Sequence, residues 1–161
     1  MVLPPESMGA VVSRSPSPPL EDLSDALWQL RHLLDVLRFR LEEERGLALA
    51  GGPSWVASAH RAVEEAVERF RVAELVRAMA TEAVARDLAV ASPPTLEQLA
   101  AAAPPPWDDI LTAHREALVS SARSVAALAD ANERLAASSP GAAPHPTRLG
   151  PSLTEFLADA R

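Results

Sequence analysis

Hydrophobic and polar residues alternate along most of the chain with the period of an α-helix. Proline removes a backbone donor and clashes with the preceding helical turn, so proline-free stretches mark where helices can run. Three such stretches are long: residues 20–52, 54–92 and 107–139. The pattern therefore predicts an all-α chain, folded as an elongated, antiparallel, coiled-coil-like bundle of three long helices.

The first segment carries the strongest pattern. Its leucines recur at alternating spacings of four and three residues, which is the a/d seam of a helix that packs along its whole length. Trp28, Leu33 and Phe39 widen this seam, so one partner helix would not cover it. The leucines of the seam are Leu23, Leu27, Leu30, Leu34, Leu37 and Leu41.

The other two long segments have weaker seams. The second opens with Ser54 as the expected N-cap and is lined mainly by alanine and valine. In the third, the polar residues His114 and Asn132 interrupt the apolar positions. Each leucine missing from a buried seam costs about 1 kcal/mol or more of burial free energy. We therefore expect the third helix to be the most loosely held.

A short helix is predicted between the second and third long helices. Residues 92–107 read SPPTLEQLAAAAPPPW, a helix-forming octet between two proline clusters. Thr95 and Gln98 have the spacing of a capping box, which starts a new helix. We expect a stiff corner in which Leu96 and Leu99 cover the end of the bundle.

The two ends of the chain differ from the middle. Residues 1–19 are predicted to be disordered, residues 20–139 to form the bundle domain, and residues 140–161 to be a linker with a short tail helix. Ser152 and Glu155 form a second possible capping box for that tail. A helix of about two turns is unstable alone, so its apolar face must dock on this bundle or on another chain.

Composition narrows the possible functions. The net charge is −7, which gives no electrostatic footprint for nucleic acid. All 15 basic residues are arginine and there is no cysteine, which excludes Schiff bases, thiol nucleophiles, thiolate metal sites and disulfides. No signal peptide or apolar stretch of membrane-spanning length is present. We expect a soluble, cytoplasmic protein with no membrane insertion.

No pattern of catalytic or metal-binding residues emerges. None of the four histidines lies three residues after a glutamate, as a ferritin-like di-iron site requires. His60 and Glu64 share a helix face, and an exposed polar pair is the favoured interpretation. His114 and Asn132 are expected to be structural polar groups, and the run Glu42–Glu44 a solvated face. The sequence predicts no enzyme, no cofactor and no metal.

Three stretches together resemble a known family. These are LEEERGLALAGGPSW at the end of the first helix, PPTLEQLAAAAPPPW at the corner, and ANERL at the end of the third helix. Their order over about residues 20–139 resembles the FlgN family of flagellar export chaperones, in an Arg- and Ala-rich form.

The resemblance implies an all-helical cytoplasmic chaperone. Such a protein holds the helical ends of hook–filament junction (hook-associated) proteins, prevents their premature self-association and delivers them to the gate of the type III export apparatus. We expect it to be monomeric or weakly homodimeric. Carried onto this chain, the partner-binding residues are in the third helix and the tail: Leu118, Val125, Leu128, Leu135, Leu153, Phe156 and Leu157.

The alternative is a non-catalytic coiled-coil scaffold or adaptor. A scaffold would self-associate through the broad seam of the first helix and bind its partners constitutively. A chaperone would instead trap one kind of partner, so light scattering with and without that partner distinguishes the two.

Overall fold

Four α-helices make up the part of the chain that the computed structural model describes, residues 17–138 with Leu153 and Ala158. They are α1 (Pro18–Leu49), α2 (Pro53–Asp87), α3 (Leu96–Ala102) and α4 (Trp107–Ser138). No strand occurs among these residues, so the predicted all-α class is confirmed. Residues 1–16 of the predicted N-terminal segment and most of the linker and tail lie outside the described residues, whereas Pro18 and Pro19 begin α1.

Helix α1 is the centre of the bundle. Ser17 precedes it, and prolines occupy its first two positions, where the missing N–H groups cost no helical hydrogen bond. It packs extensively against both α2 and α4, whereas α2 and α4 make little contact with each other. All six leucines of the predicted seam are buried. Trp28 and Phe39, expected to widen it, are instead 56% and 59% exposed.

The chain runs up, down and up again through the long helices. Near the first turn, Glu44 of α1 contacts His60 of α2. Farther along, Leu33 of α1 lines a groove with residues 68–76 of α2, so the two helices are antiparallel. Helix α4 is parallel to α1, because His114 contacts Ser24 and Asn132 contacts Leu41.

The turn between α1 and α2 uses two glycines. Gly51 has a φ of +76°, a left-handed conformation that glycine adopts without strain and that commonly ends helices. Gly52 is the N-cap of α2 and Pro53 its first residue, which is a favoured place for proline. The expectation that Ser54 caps this helix is therefore wrong, since the proline before it already fits the first turn.

Helix α2 ends at Asp87, before the proline pair that bounded the predicted segment. Ala89 takes a left-handed conformation with a φ of 54°, and the N–H of Val90 donates to the carbonyl oxygen of Ala85 at 2.8 Å. This closure turns Leu88 and Val90 back onto the core, where both are half-buried. Burial of these two side chains favours an earlier end than the prolines alone impose.

The predicted corner is confirmed in detail. Gln98 N–H donates to Thr95 Oγ1 at 3.2 Å, and Thr95 N–H donates to Gln98 Oε1 at 2.9 Å, which completes the capping box. Leu96 and Leu99 are buried. Helix α3 packs mainly on α4, and Arg115 forms an ion pair of 3.4 Å with Glu97 across that contact.

Candidate interaction surfaces

The predicted partner-binding residues of α4 are more buried than a free binding surface requires. Leu118 and Val125 have no exposed surface. Leu128 and Leu135 are half-buried, and Leu128 packs against the edge of the core. A partner reaches Leu118 or Val125 only if α4 separates from its neighbours, whereas it reaches Leu128 and Leu135 at the edge. Their role in partner binding stays a prediction.

The predicted tail helix has two described residues. Leu153 is helical, only 4% exposed, and belongs to the hydrophobic core cluster of the bundle. Ala158 is helical and exposed. Phe156 and Leu157 lie outside the described residues. At Leu153, therefore, the C-terminal segment is seated on the bundle rather than in solvent.

A contiguous exposed apolar surface lies on α2, where the sequence analysis did not place one. It consists of Val72, Leu75, Val76 and Met79, which are 61%, 68%, 54% and 74% exposed. Their spacing of three, four and seven residues puts them on one face of the helix. We call these four residues the α2 stripe. A groove of about 490 Å³ runs beside it, lined by Gln29, Leu33, Glu68, Arg69, Val72, Ala73 and Val76.

Polar side chains occupy the opposite, core-facing side of the same helical turns. Thr81 is buried, and the side chains of Glu74 and Arg77 are only 14% and 13% exposed. Arg77 Nε pairs with Glu74 Oε1 at 3.2 Å, so the two charges neutralise each other where water is scarce. Over residues 72–81, therefore, large apolar side chains face solvent and polar side chains face the bundle, which is the reverse of a usual amphipathic helix. The seam expected for this segment runs through its alanine and valine residues, so the sequence pattern did not indicate this arrangement.

A buried polar junction links the three long helices near the α1–α2 turn. Glu44 on α1 is 7% exposed and lies 2.8 Å from His60 Nδ1 on α2 through its Oε1. Asn132 Nδ2 on α4 donates to Glu44 Oε2 at 3.1 Å and to the carbonyl oxygen of Leu41 at 2.9 Å. A small cavity of about 50 Å³ adjoins these side chains. The three residues fix the relative position of the helices at this end.

This junction corrects two expectations from the sequence. Glu44 was taken as part of a solvated acidic run, but it continues the four-and-three spacing of the leucine seam after Leu41 and is therefore buried. His60 was interpreted as half of an exposed pair with Glu64, but its side chain is 12% exposed and its closer carboxylate partner is Glu44. Asn132 was expected to be a structural polar group, and its side chain is buried.

A second polar contact lies near the opposite end of α1. His114 on α4 is buried, with its Nε2 3.2 Å from Ser24 Oγ, and its ring meets the Trp28 ring edge-on at 5.1 Å between centroids. The guanidinium group of Arg31 lies over the Trp28 ring, with its Cζ 4.1 Å from the ring centroid. Burial, and secondly the positive charge of Arg31, lower the pKa of His114 below its ordinary value of 6.5.

This lowered pKa predicts a loss of stability in mild acid. Above pH 6.5 the imidazole is neutral in both states, and His114 adds no pH dependence. Below that value the unfolded chain takes up a proton that the folded chain resists, so the free energy of unfolding falls with pH until the folded pKa is reached. Urea unfolding between pH 7 and pH 5 measures the slope. His114→Gln should flatten it, and His32→Gln, at an exposed position, is the matched control; equal slopes in all three proteins would contradict the assignment.

Clusters of metal ligands and membrane-spanning helices are both absent from the described part of the chain. No group of three or more His, Cys, Asp and Glu side chains that could hold a metal ion occurs among them. No helix in this part of the chain is both long enough and apolar enough to cross a bilayer. The described part of the chain does present an apolar groove and an exposed apolar helix face, the kind of surface on which amphipathic helices dock in other proteins.

Comparison with known proteins gives one match. Residues 19–140 match the family model described as FlgN protein. The matched range includes all four helices except Pro18, the first residue of α1, together with the polar junction and the α2 stripe. No curated protein and no solved structure matches the chain.

Proposed function

Because the match covers well over half of the chain, the protein belongs to the FlgN family of flagellar export chaperones, and we propose that it holds hook–filament junction proteins in the cytoplasm before their export. The family match carries this proposal. The cargo is the helical ends of those proteins, whose apolar faces associate with each other when unprotected. An amphipathic helix lying in an apolar groove is a common way to cover such a face. The chaperone then delivers the bound cargo to the gate of the type III export apparatus.

We place the cargo-binding surface at the accessible edge of α4 and at the seat of the tail. Leu128 and Leu135 supply apolar surface at that edge, and Leu153 occupies a buried position in the core cluster. In the absence of cargo the tail shields this region. Cargo then displaces it and gains access to Leu118 and Val125 as α4 loosens, with Phe156 and Leu157 of the tail contributing contacts.

The proposed binding of junction proteins is testable with purified components. The chain should form a complex of defined mass with a junction protein that carries intact helical ends, measured by light scattering after size exclusion. Removing those ends from the junction protein should abolish the complex. A chain that self-associates but binds no junction protein would support the scaffold alternative instead.

The role of the tail is testable with two substitutions at its described residues. Leu153→Asp places a charge at a buried position, so it should release the tail and change the affinity for cargo by roughly tenfold. Ala158→Asp adds the same charge at an exposed position and should leave the affinity unchanged. Titration calorimetry with the junction protein measures both.

Deletion of residues 140–161 completes the experiment. It should change the affinity in the same direction as Leu153→Asp and leave the helical circular dichroism of the bundle nearly intact. Equal cargo affinity of the full and shortened chains would remove the tail from the mechanism, although the chaperone function itself would stand.

A further inference from the structure

The α2 stripe is left largely uncovered by the rest of the described chain. Four large side chains are more than half exposed there, while Glu74, Arg77 and Thr81 occupy the protected side of the same turns. Contiguous exposed apolar surface of this kind marks a protein interaction site. The charged residues at the two ends of the stripe indicate which partner binds there.

These charges repeat with opposite sign after five helical turns. Glu68 and Arg86 are eighteen residues apart, and so are Arg69 and Asp87. At 3.6 residues per turn, eighteen residues complete five turns, so each pair lies along one line of the helix surface. All four side chains are exposed. Along one edge of the stripe, therefore, Glu68 at the first end is matched by a basic residue at the other end. Along the other edge, Arg69 is matched by an acidic residue.

We propose that the α2 stripe is a homodimer interface, in which the α2 helices of two copies pack antiparallel. The midpoint of Glu68 and Arg86 is Arg77, and the midpoint of Arg69 and Asp87 is Ala78, so the two-fold axis passes between Arg77 and Ala78. Glu68 then faces Arg86 of the second copy, and Arg69 faces Asp87 of the second copy. The symmetry generates each pair twice, as in any isologous interface.

The apolar residues fit the same register. Val76 lies opposite Met79 of the second copy, and Val72 lies opposite Ala83 of the second copy. Leu75 also lies next to Met79 of the second copy. The groove of about 490 Å³ beside Val72 and Val76 gives these side chains room to insert. The stripe is thus complementary to itself in shape and in charge.

A parallel arrangement is disfavoured by the same charges. It would place Glu68 beside Glu68 and Arg86 beside Arg86, and like charges across an interface oppose association. Glu68 also pairs with Arg71 within α2, and its second carboxylate oxygen remains available to an arginine of the second copy. The interface is small, on the order of 1,000 Å² in total. It gives a weak, concentration-dependent dimer and requires no cargo, so it goes beyond the proposed export role.

A charge swap tests the register. Sedimentation velocity of the full chain, from low micromolar to about 1 mM, should reveal a monomer–dimer equilibrium. Glu68→Arg places like charges together at both symmetric positions and should weaken dimerisation roughly tenfold or more. Adding Arg86→Glu restores opposite charges and should restore the dimer. Raising the salt concentration to about 0.5 M should reduce the effect of both changes.

Removal of apolar surface provides the second test. Leu75→Gln with Met79→Gln should abolish the dimer and leave helical circular dichroism unchanged, because both side chains are exposed in the monomer. Leu49→Gln is the matched control at an equally exposed leucine at the end of α1, and it should dimerise normally. A chain that stays monomeric up to about 1 mM, or a dimer indifferent to Glu68→Arg, would overturn the proposal.

Discussion

Leu34→Ala lowers the free energy of unfolding by about 2–5 kcal/mol, the range for a leucine truncated in a packed core. Leu34 has no exposed surface and lies on the central helix α1, which packs against both α2 and α4. The cavity left by the missing side chain therefore opens inside the bundle, where neighbouring helices collapse into it only in part. Urea unfolding followed by circular dichroism measures the change.

Two further truncations make this result specific. Leu49→Ala removes the same atoms from an exposed position on the same helix and should change stability by about 0.5 kcal/mol or less. Leu118→Ala, on α4, should cost less than Leu34→Ala if α4 is the loosely held helix that the cargo model requires. A larger loss at Leu118 than at Leu34 would contradict that model, since it would make the α4 contacts the firmer ones.

Glu44→Ala lowers the free energy of unfolding by about 2–3 kcal/mol, because it removes the acceptor shared by two other buried polar groups. Asn132 Nδ2 loses its bond to Glu44 Oε2, and His60 Nδ1 loses its contact with Glu44 Oε1. A residue two positions earlier gives the matched control. Glu42→Ala removes an exposed carboxylate from the same acidic run and should change stability by about 0.5 kcal/mol or less.

The comparison of these two variants separates the junction from general charge effects. Both lose one negative charge from the same stretch of α1, two residues apart, so any effect of net charge is common to them. Equal stabilities in urea would place Glu44 in solvent and remove the junction as a link between α1, α2 and α4. A large loss of stability in Glu44→Ala alone would establish the junction as a link between the three helices.

Burial of polar residues is where sequence patterns predicted least well. The leucine spacing of α1 extends through Leu41 to Glu44, but a run of three glutamates is usually solvated, and the charge pattern outweighed the spacing. Only the approach of His60 and Asn132 from two other helices makes burial of Glu44 favourable. Such a partner is distant in sequence, by 16 and 88 residues, so no local pattern reveals it.

The sequence by itself determined the fold class and the turns that separate the helices. Helical spacing is a local property, and proline and glycine act on their own turns, so the helices, the glycine turn and the capped corner were all predictable. The family resemblance was likewise readable from three short stretches and agrees with the match over residues 19–140.

Only the tertiary structure decided which side of each helix is covered. Helix α1 takes the centre, and the outer face of α2 keeps Val72, Leu75, Val76 and Met79 in solvent. An apolar residue at helical spacing is equally compatible with a core and with a binding surface. The choice depends on where the other helices pack, which is a property of the whole bundle and not of any one segment.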